Sequence, residues 1–156
     1  MARSDDERLR EMLDRAEIRE LLLRYAHGVD RRNLTLVGSC FTSDATYDGT
    51  LGHGTIAAAL AALRERMTRY ESTLHLIGNQ FIELRGDEAS SETYTVAYHR
   101  FRGADGPSVL SVAVRYLDLV VRDDGEWRIR ARTVQPEWQR YDEVFDPAQG
   151  AYGPEG

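Results

Sequence analysis

The sequence predicts a single α+β domain, on three observations. The first seventy residues carry helical periodicity, the later ones form long β-rich runs, and compact turns separate those runs. From about Asp5 to Val29, Leu9, Leu13, Ile18, Leu22, Tyr25 and Val29 mostly recur at three or four. Good helix formers fill the gaps, giving a long amphipathic helix that ends near Asp30. Asn33 suits the N-cap of a short helix through Phe41. Asp44 to Thr50 reads as a short strand, Gly52-His53-Gly54 as a turn, and about Thr55 to Arg69 as an alanine-rich helix.

Four runs then follow: Ser72–Arg85, Glu88–Arg102, Ser108–Arg122 and Glu126–Trp138. They are rich in Thr, Val, Ile, Tyr and Phe, and turns at 86–87, 103–107 and 123–125 separate them. Helices followed by an antiparallel meander imply helices packed on one face of a strongly bent sheet. Residues 1–138 are expected to form the one domain, with 139–156 as a C-terminal arm or tail.

Composition narrows the possible partners. A chain of 156 residues with net charge −6 and pI ≈ 5.2 lacks the basic face that nucleic acid or an anionic membrane needs. No stretch has the roughly 18 apolar residues of a membrane span. The start, Met1-Ala2-Arg3-Ser4-Asp5-Asp6-Glu7, is polar and acidic, unlike a signal peptide, so a cytoplasmic location is expected. Cys40 is the one cysteine, and no Cys/His cluster suggests a metal. Every basic residue is arginine. Schiff-base and pyridoxal-phosphate chemistry, which require a lysine amine, are therefore excluded.

Several strings in order carry a family resemblance. They are Leu21-Leu22-Leu23-Arg24-Tyr25-Ala26-His27-Gly28-Val29-Asp30-Arg31-Arg32, Cys40-Phe41-Thr42-Ser43-Asp44-Ala45 and Thr73-Leu74-His75-Leu76-Ile77-Gly78-Asn79. Arg115-Tyr116-Leu117-Asp118 and the run from Asp124 through Trp127 to Arg132 complete the set. Over about Glu17 to Trp138 the chain resembles the SnoaL-like family of the NTF2-like superfamily. Its relatives include scytalone dehydratase, bile-acid dehydratase and hexachlorocyclohexane dehydrochlorinase. The resemblance implies an α+β cone with an apolar interior, and it implies chemistry without a cofactor. Because this fold hosts lyases, isomerases, cyclases and non-catalytic subunits, function must be argued from the site.

Asp30 stands at a helix C-terminus, where the macrodipole favours cations, so a structural role there has a cost to explain. An ion pair with Arg31, Arg32 or Arg130 is the plain alternative. The resemblance instead points Asp30 into the cone against His75. An Asp that accepts from one ring nitrogen fixes the tautomer and raises the basicity of the other. Alternation places Thr73, His75, Ile77, Asn79 and Phe81 on one strand face, making Ile77, Asn79 and Phe81 candidate substrate contacts. His99, on the next strand, matches a second histidine of scytalone dehydratase and could protonate a leaving hydroxyl. Tyr25 matches a tyrosine that holds a carbonyl or hydroxyl in the dehydratases, and it equally suits the core. Arg132 could lock Asp30 as an ion or steady a departing anion. It shares a face with Val134 and Trp138, two further candidate contacts. His27 and His53 read as solvated, and Cys40 as core.

The leading expectation is a cofactor-independent lyase. His75 removes a proton beside a carbonyl, Tyr25 or Asn79 holds the oxyanion, and water is lost from a mid-sized apolar ring of steroid, polyketide or terpenoid type. An isomerase or polyketide cyclase would use the same base. A ligand carrier, or a structural subunit of a ring-hydroxylating dioxygenase, would need no Asp–His pair. Apolar residues on both faces of Ser108–Arg122 suit a strand covered on both sides, so a homo-oligomer, trimer or dimer, is expected. Sedimentation velocity should give a stable oligomer at micromolar concentration; a monomer there would remove this expectation.

Overall fold

A computed structural model of the chain describes residues 3–144. The elements run α1 (Asp5–Asp30), α2 (Leu34–Ser39), β1 (Phe41–Gly49), β2 (Gly52–Thr55), α3 (Ile56–Met67), β3 (Ser72–Arg85), β4 (Glu88–Arg102), β5 (Pro107–Asp123) and β6 (Glu126–Glu143). One sheet orders them β2-β1-β6-β5-β4-β3. All neighbours are antiparallel except β1 and β6, which run parallel. The sheet is curved and unclosed, with the helices packed on it. This is the expected α+β cone. No described helix is long and apolar enough to cross a membrane.

Local chemistry explains the helix boundaries. Ser4 caps α1 through a reciprocal box: Glu7 N–H donates to Ser4 Oγ at 3.2 Å, and Ser4 N–H to the Glu7 carboxylate at 2.8 Å. Asn33 caps α2, accepting from Leu36 N–H at 3.0 Å, and Thr55 caps α3. Between α1 and α2 the chain reverses through Arg32, whose left-handed φ of 56° costs a non-glycine residue roughly 1–2 kcal/mol. Gly28 lets the two helices meet there, since a Cβ would lie 2.9 Å from Val37 Cγ2.

α1 packs only from its middle onward. Ile18, Leu21 and Leu22 are fully buried, each contributing about 1.5–3 kcal/mol. Leu9 and Leu13, expected on the same stripe, are exposed, as is Met12. The packed part of α1 is fastened to the sheet along its length. Arg15 donates to Ile82 O at 2.6 Å. Asp14 accepts from Trp127 Nε1 at 3.1 Å and pairs with Arg122.

Two expectations about chain ends and turns change. Gly52-His53-Gly54 is an edge strand paired with β1, not a turn. Gly52 and Gly54 hold φ of +116° and +136°, a backbone that favours glycine even inside a hairpin. The hairpin tip is Thr50-Leu51. Strand β6 runs through Gln139 to Glu143, paired with β5 as far as Ser108. The arm expected from Gln139 therefore begins as strand, and its remainder, 145–156, lies outside the described residues.

Bulges set which side chains face inward. Opposite β4, β3 carries one extra residue between Ile77 and Gln80; opposite β5, β6 carries one between Ile129 and Ala131 and another between Pro136 and Trp138. An extra residue reverses the alternation beyond it. Gly78 makes the first bulge possible, because a Cβ there would sit 3.0 Å from Tyr94 O.

In the core, Arg132 and Asp118 form a bidentate pair, Nε and Nη2 each 2.8 Å from a carboxylate oxygen, with both side chains fully buried. The guanidinium carbon lies 4.2 Å from the ring centroids of both Tyr25 and Tyr116, and 5.4 Å from Phe41. Burial opposes the Arg132 charge, but Asp118 outweighs it and raises the guanidinium above its ordinary range. Breaking one partner strands a buried charge. Asp118→Asn should therefore lower stability by about 3–5 kcal/mol in urea unfolding, with much of the loss recovered in Asp118→Leu/Arg132→Met.

Candidate active site

α1 and β3 converge because the loop between α3 and β3 is held from two sides. Arg32 Nη2 donates to Tyr70 O at 2.6 Å and Glu71 O at 3.2 Å. Glu71 N–H donates to Arg100 O at 2.7 Å. This brings the start of β3 to the end of α1. There the Asp30 carboxylate accepts three bonds from β3: Thr73 Oγ1 at 2.9 Å, the His75 backbone N–H at 2.9 Å, and His75 Nδ1 at 2.7 Å. Arg31, Arg32 and Arg130 play no part in that cluster; Arg130 approaches Glu88 instead. Burial alone would push the Asp30 carboxyl up, but the His75 ring, the His75 amide and Thr73 outweigh it and hold it below 3.8.

An ionised carboxylate only accepts, so His75 Nδ1 carries the proton toward Asp30. With Nδ1 as the donor, Nε2 is the ring atom left to accept a proton. The His75 side chain is 8% exposed and Asp30 23%. His75 lines a cavity of about 310 Å³ bordered by α1, α3, the β1–β2 tip and residues of β3 to β6. The strand registers explain the lining. His75 pairs with Ala97, Ala97 with Val112 and Val112 with Gln139. Thr73 pairs with His99, and His99 with Leu110.

His99 reaches this cavity, 5.9 Å from His75 between ring centroids and 4.7 Å from Tyr70. Burial first, and then the neighbouring His75, lower its pKa to about 4. It is therefore neutral near pH 7, so an acid role as imidazolium is not available to it there. Tyr25 and Val134 also line the cavity. Tyr25 packs edge-on to Tyr116 at 5.7 Å and to Phe41 at 6.0 Å.

The bulges move other expected contacts away. Asn79 lies in the β3 bulge and is exposed. Beyond it the faces exchange: Gln80 turns inward opposite Thr93, and Phe81 turns outward, 66% exposed. Ile77 packs on the core and does not line the cavity. In β6 the second bulge turns Trp138 outward, 54% exposed, and brings Gln139 to the cavity. Arg132 does not touch Asp30, because Asp118 occupies it. Cys40 is fully buried, and burial pushes its thiol up; His27 is exposed, and His53 is exposed beside Asp48.

Sequence reasoning missed Tyr47, Tyr70, Tyr116 and Arg66, all of which line the cavity. Tyr116 could have been found from alternation through Leu110, Val112 and Val114. Arg66 and Tyr70 had no sequence signal beyond lying near the end of a helix. Burial raises the phenols of Tyr47 and Tyr116 above 10, so both remain donors. The site thus joins an oriented imidazole, a neutral second imidazole and protonated phenols within apolar walls.

The pH behaviour of His99 is testable. In the unfolded chain histidine binds its proton near 6.5, but the folded site resists until about 4. As pH falls through that window the unfolded state takes up the proton first, so folding stability drops. NMR titration should find the His99 ring changing near pH 4, and His99→Gln should flatten the stability loss between pH 6.5 and 4.

Known proteins are similar to this chain in sequence or in fold. An uncharacterised protein of Mycobacterium tuberculosis is 32% identical over 125 residues, 78% of this chain and 84% of that one. A Novosphingobium aromaticivorans protein provisionally assigned as a scytalone dehydratase superposes with a TM-score of 0.75. It is 21% identical, over 91% of this chain and 94% of its own. A hexachlorocyclohexane dehydrochlorinase of Novosphingobium barchaimii gives 0.76 at 20% identity, over 92% of this chain and 100% of its own. The two structural likenesses establish a common fold. The SnoaL-like domain model matches residues 10–133, and the chain belongs to the SnoaL-like family.

Proposed function

We propose that the protein is a cofactor-independent lyase of the dehydratase type, acting on an apolar ring ketone that carries a β-hydroxyl. The observation that carries this reading is the Asp30–His75 contact at 2.7 Å on the wall of an apolar cavity. The fold shared with a provisionally assigned scytalone dehydratase and a dehydrochlorinase supports elimination. A volume near 310 Å³ stands at the low end of the roughly 300–1,000 Å³ usual for small-molecule sites. That favours two or three fused rings over a four-ring skeleton.

The proposed steps use groups in the cavity wall. His75 Nε2 takes the proton from the carbon beside the carbonyl. The C–H pair becomes the enolate π bond, and a phenol of the wall, Tyr25 first among them, donates to the enolate oxygen. The enolate then re-forms the carbonyl, the β C–O bond breaks, and the His75 imidazolium returns its proton to the departing oxygen as water. His99, being neutral, serves as a hydrogen-bond partner for that hydroxyl. Arg132 and Asp118 act through position: their pair supports the Tyr25 and Tyr116 rings from behind. Isomerisation or ring closure would use the same first step.

A bicyclic probe tests this. With 3-hydroxy-1-tetralone, loss of water would release 1-naphthol, which absorbance detects. His75→Ala should reduce kcat/KM by about 100-fold or more. Asp30→Asn should do likewise, since its amide can donate to Nδ1 and invert the tautomer. Full turnover in either folded variant rejects the dyad.

A further inference from the structure

The cavity holds one feature that proton abstraction does not use. Arg66, in the last turn of α3, is the one permanently charged side chain in the described cavity lining. Its guanidinium is held at the β1–β2 tip: Nη1 donates to Thr50 Oγ1 at 3.2 Å, and Nη2 to the Thr50 carbonyl. Both acceptors are neutral. Among the described residues no carboxylate lies within ion-pair distance of Arg66, whereas its neighbour Arg69, one turn along, pairs with Glu65 at 3.5 Å. In a chain with 26 acidic and 20 basic residues, a half-buried arginine without a counter-charge among the described residues stands out.

A plain reading is available: Arg66 suits the negative end of the α3 dipole and braces Thr50. That accounts for its bonds to Thr50, but not for a cation in an otherwise uncharged cavity wall. A neutral apolar ligand would strip water from the remaining Arg66 N–H groups and offer no acceptor, which is costly. An anionic oxygen on the ligand would meet those donors with charge-assisted bonds. The Arg66 charge is also felt inside the site, where it helps to lower the pKa of His99.

We propose that Arg66 is a specificity-determining residue, binding a fixed anionic oxygen, of the carboxylate class, on the ring substrate. This deepens the dehydratase reading and rests on its cavity, but not on its dyad. The substrate class becomes an aromatic or alicyclic keto-acid, anchored at Arg66 by its carboxylate.

Binding of unreactive ligands tests the inference apart from turnover. Isothermal titration at pH 7 compares 2-naphthoate with its neutral counterpart, methyl 2-naphthyl ketone. The wild-type protein should bind the carboxylate about tenfold or more tightly than the ketone. Arg66→Gln should bring the two within about threefold by weakening only the carboxylate, while Arg66→Lys should keep part of the preference. The same preference should persist in His75→Ala, so loss of the dyad mechanism and loss of this inference give different results. Three outcomes overturn the proposal: equal affinity in the wild type, no binding of the carboxylate, or equal weakening of both ligands in Arg66→Gln. The last would mean that Arg66 only braces the Thr50 tip.

Discussion

Asp30 is a carboxylate at the end of a helix whose dipole opposes it, and one strand holds it there. Thr73, the His75 backbone and the His75 ring all donate to it. Their combined effect outweighs burial and keeps it ionised. The same three bonds fasten the end of α1 to the start of β3, so one contact closes the cone and orients the imidazole. Arg32 reinforces it from outside by clasping Tyr70 and Glu71. Its left-handed backbone is a small strain beside that contact network.

Behind this clamp the protein buries a full ion pair. Arg132 meets Asp118 in bidentate fashion through Nε and Nη2. The Tyr25 and Tyr116 rings meet the guanidinium from two directions, each centroid 4.2 Å from its carbon, with the rings edge-on to one another. A charge so tightly paired is a poor candidate for binding substrate, although sequence position suggested that role. Arg66 is the opposite case. It is held by neutral oxygens, lines the cavity, and its charge reaches His99. Among the described residues, the two arginines thus differ because one has a carboxylate beside it and the other does not.

Alternation is a local rule, and it served well until a strand gained a residue. Through His75 the β3 pattern was legible, but the bulge at Gly78-Asn79 reversed every face after it, exposing Phe81. The second bulge in β6 did the same to Trp138 and brought Gln139 inside. Gly78 was a visible hint, because an isolated glycine in a strand marks close backbone approach. No comparable mark flags the β6 bulge beyond Pro136.

The sequence by itself determined the long α1, the cap at Asn33, the alanine-rich helix and the four long strands, and its family resemblance placed Asp30 against His75. These follow from periodicity, turn residues and ordered motifs, all of which are short-range properties of the chain. The tertiary structure alone decided the partner of Arg132, the neutral state of His99, the inward phenols of Tyr47 and Tyr70, and the position of Arg66. Each of these depends on distances between residues far apart in sequence and on how much water the packing excludes. Desolvation and Coulomb terms exist only once the sheet has curved around its cavity.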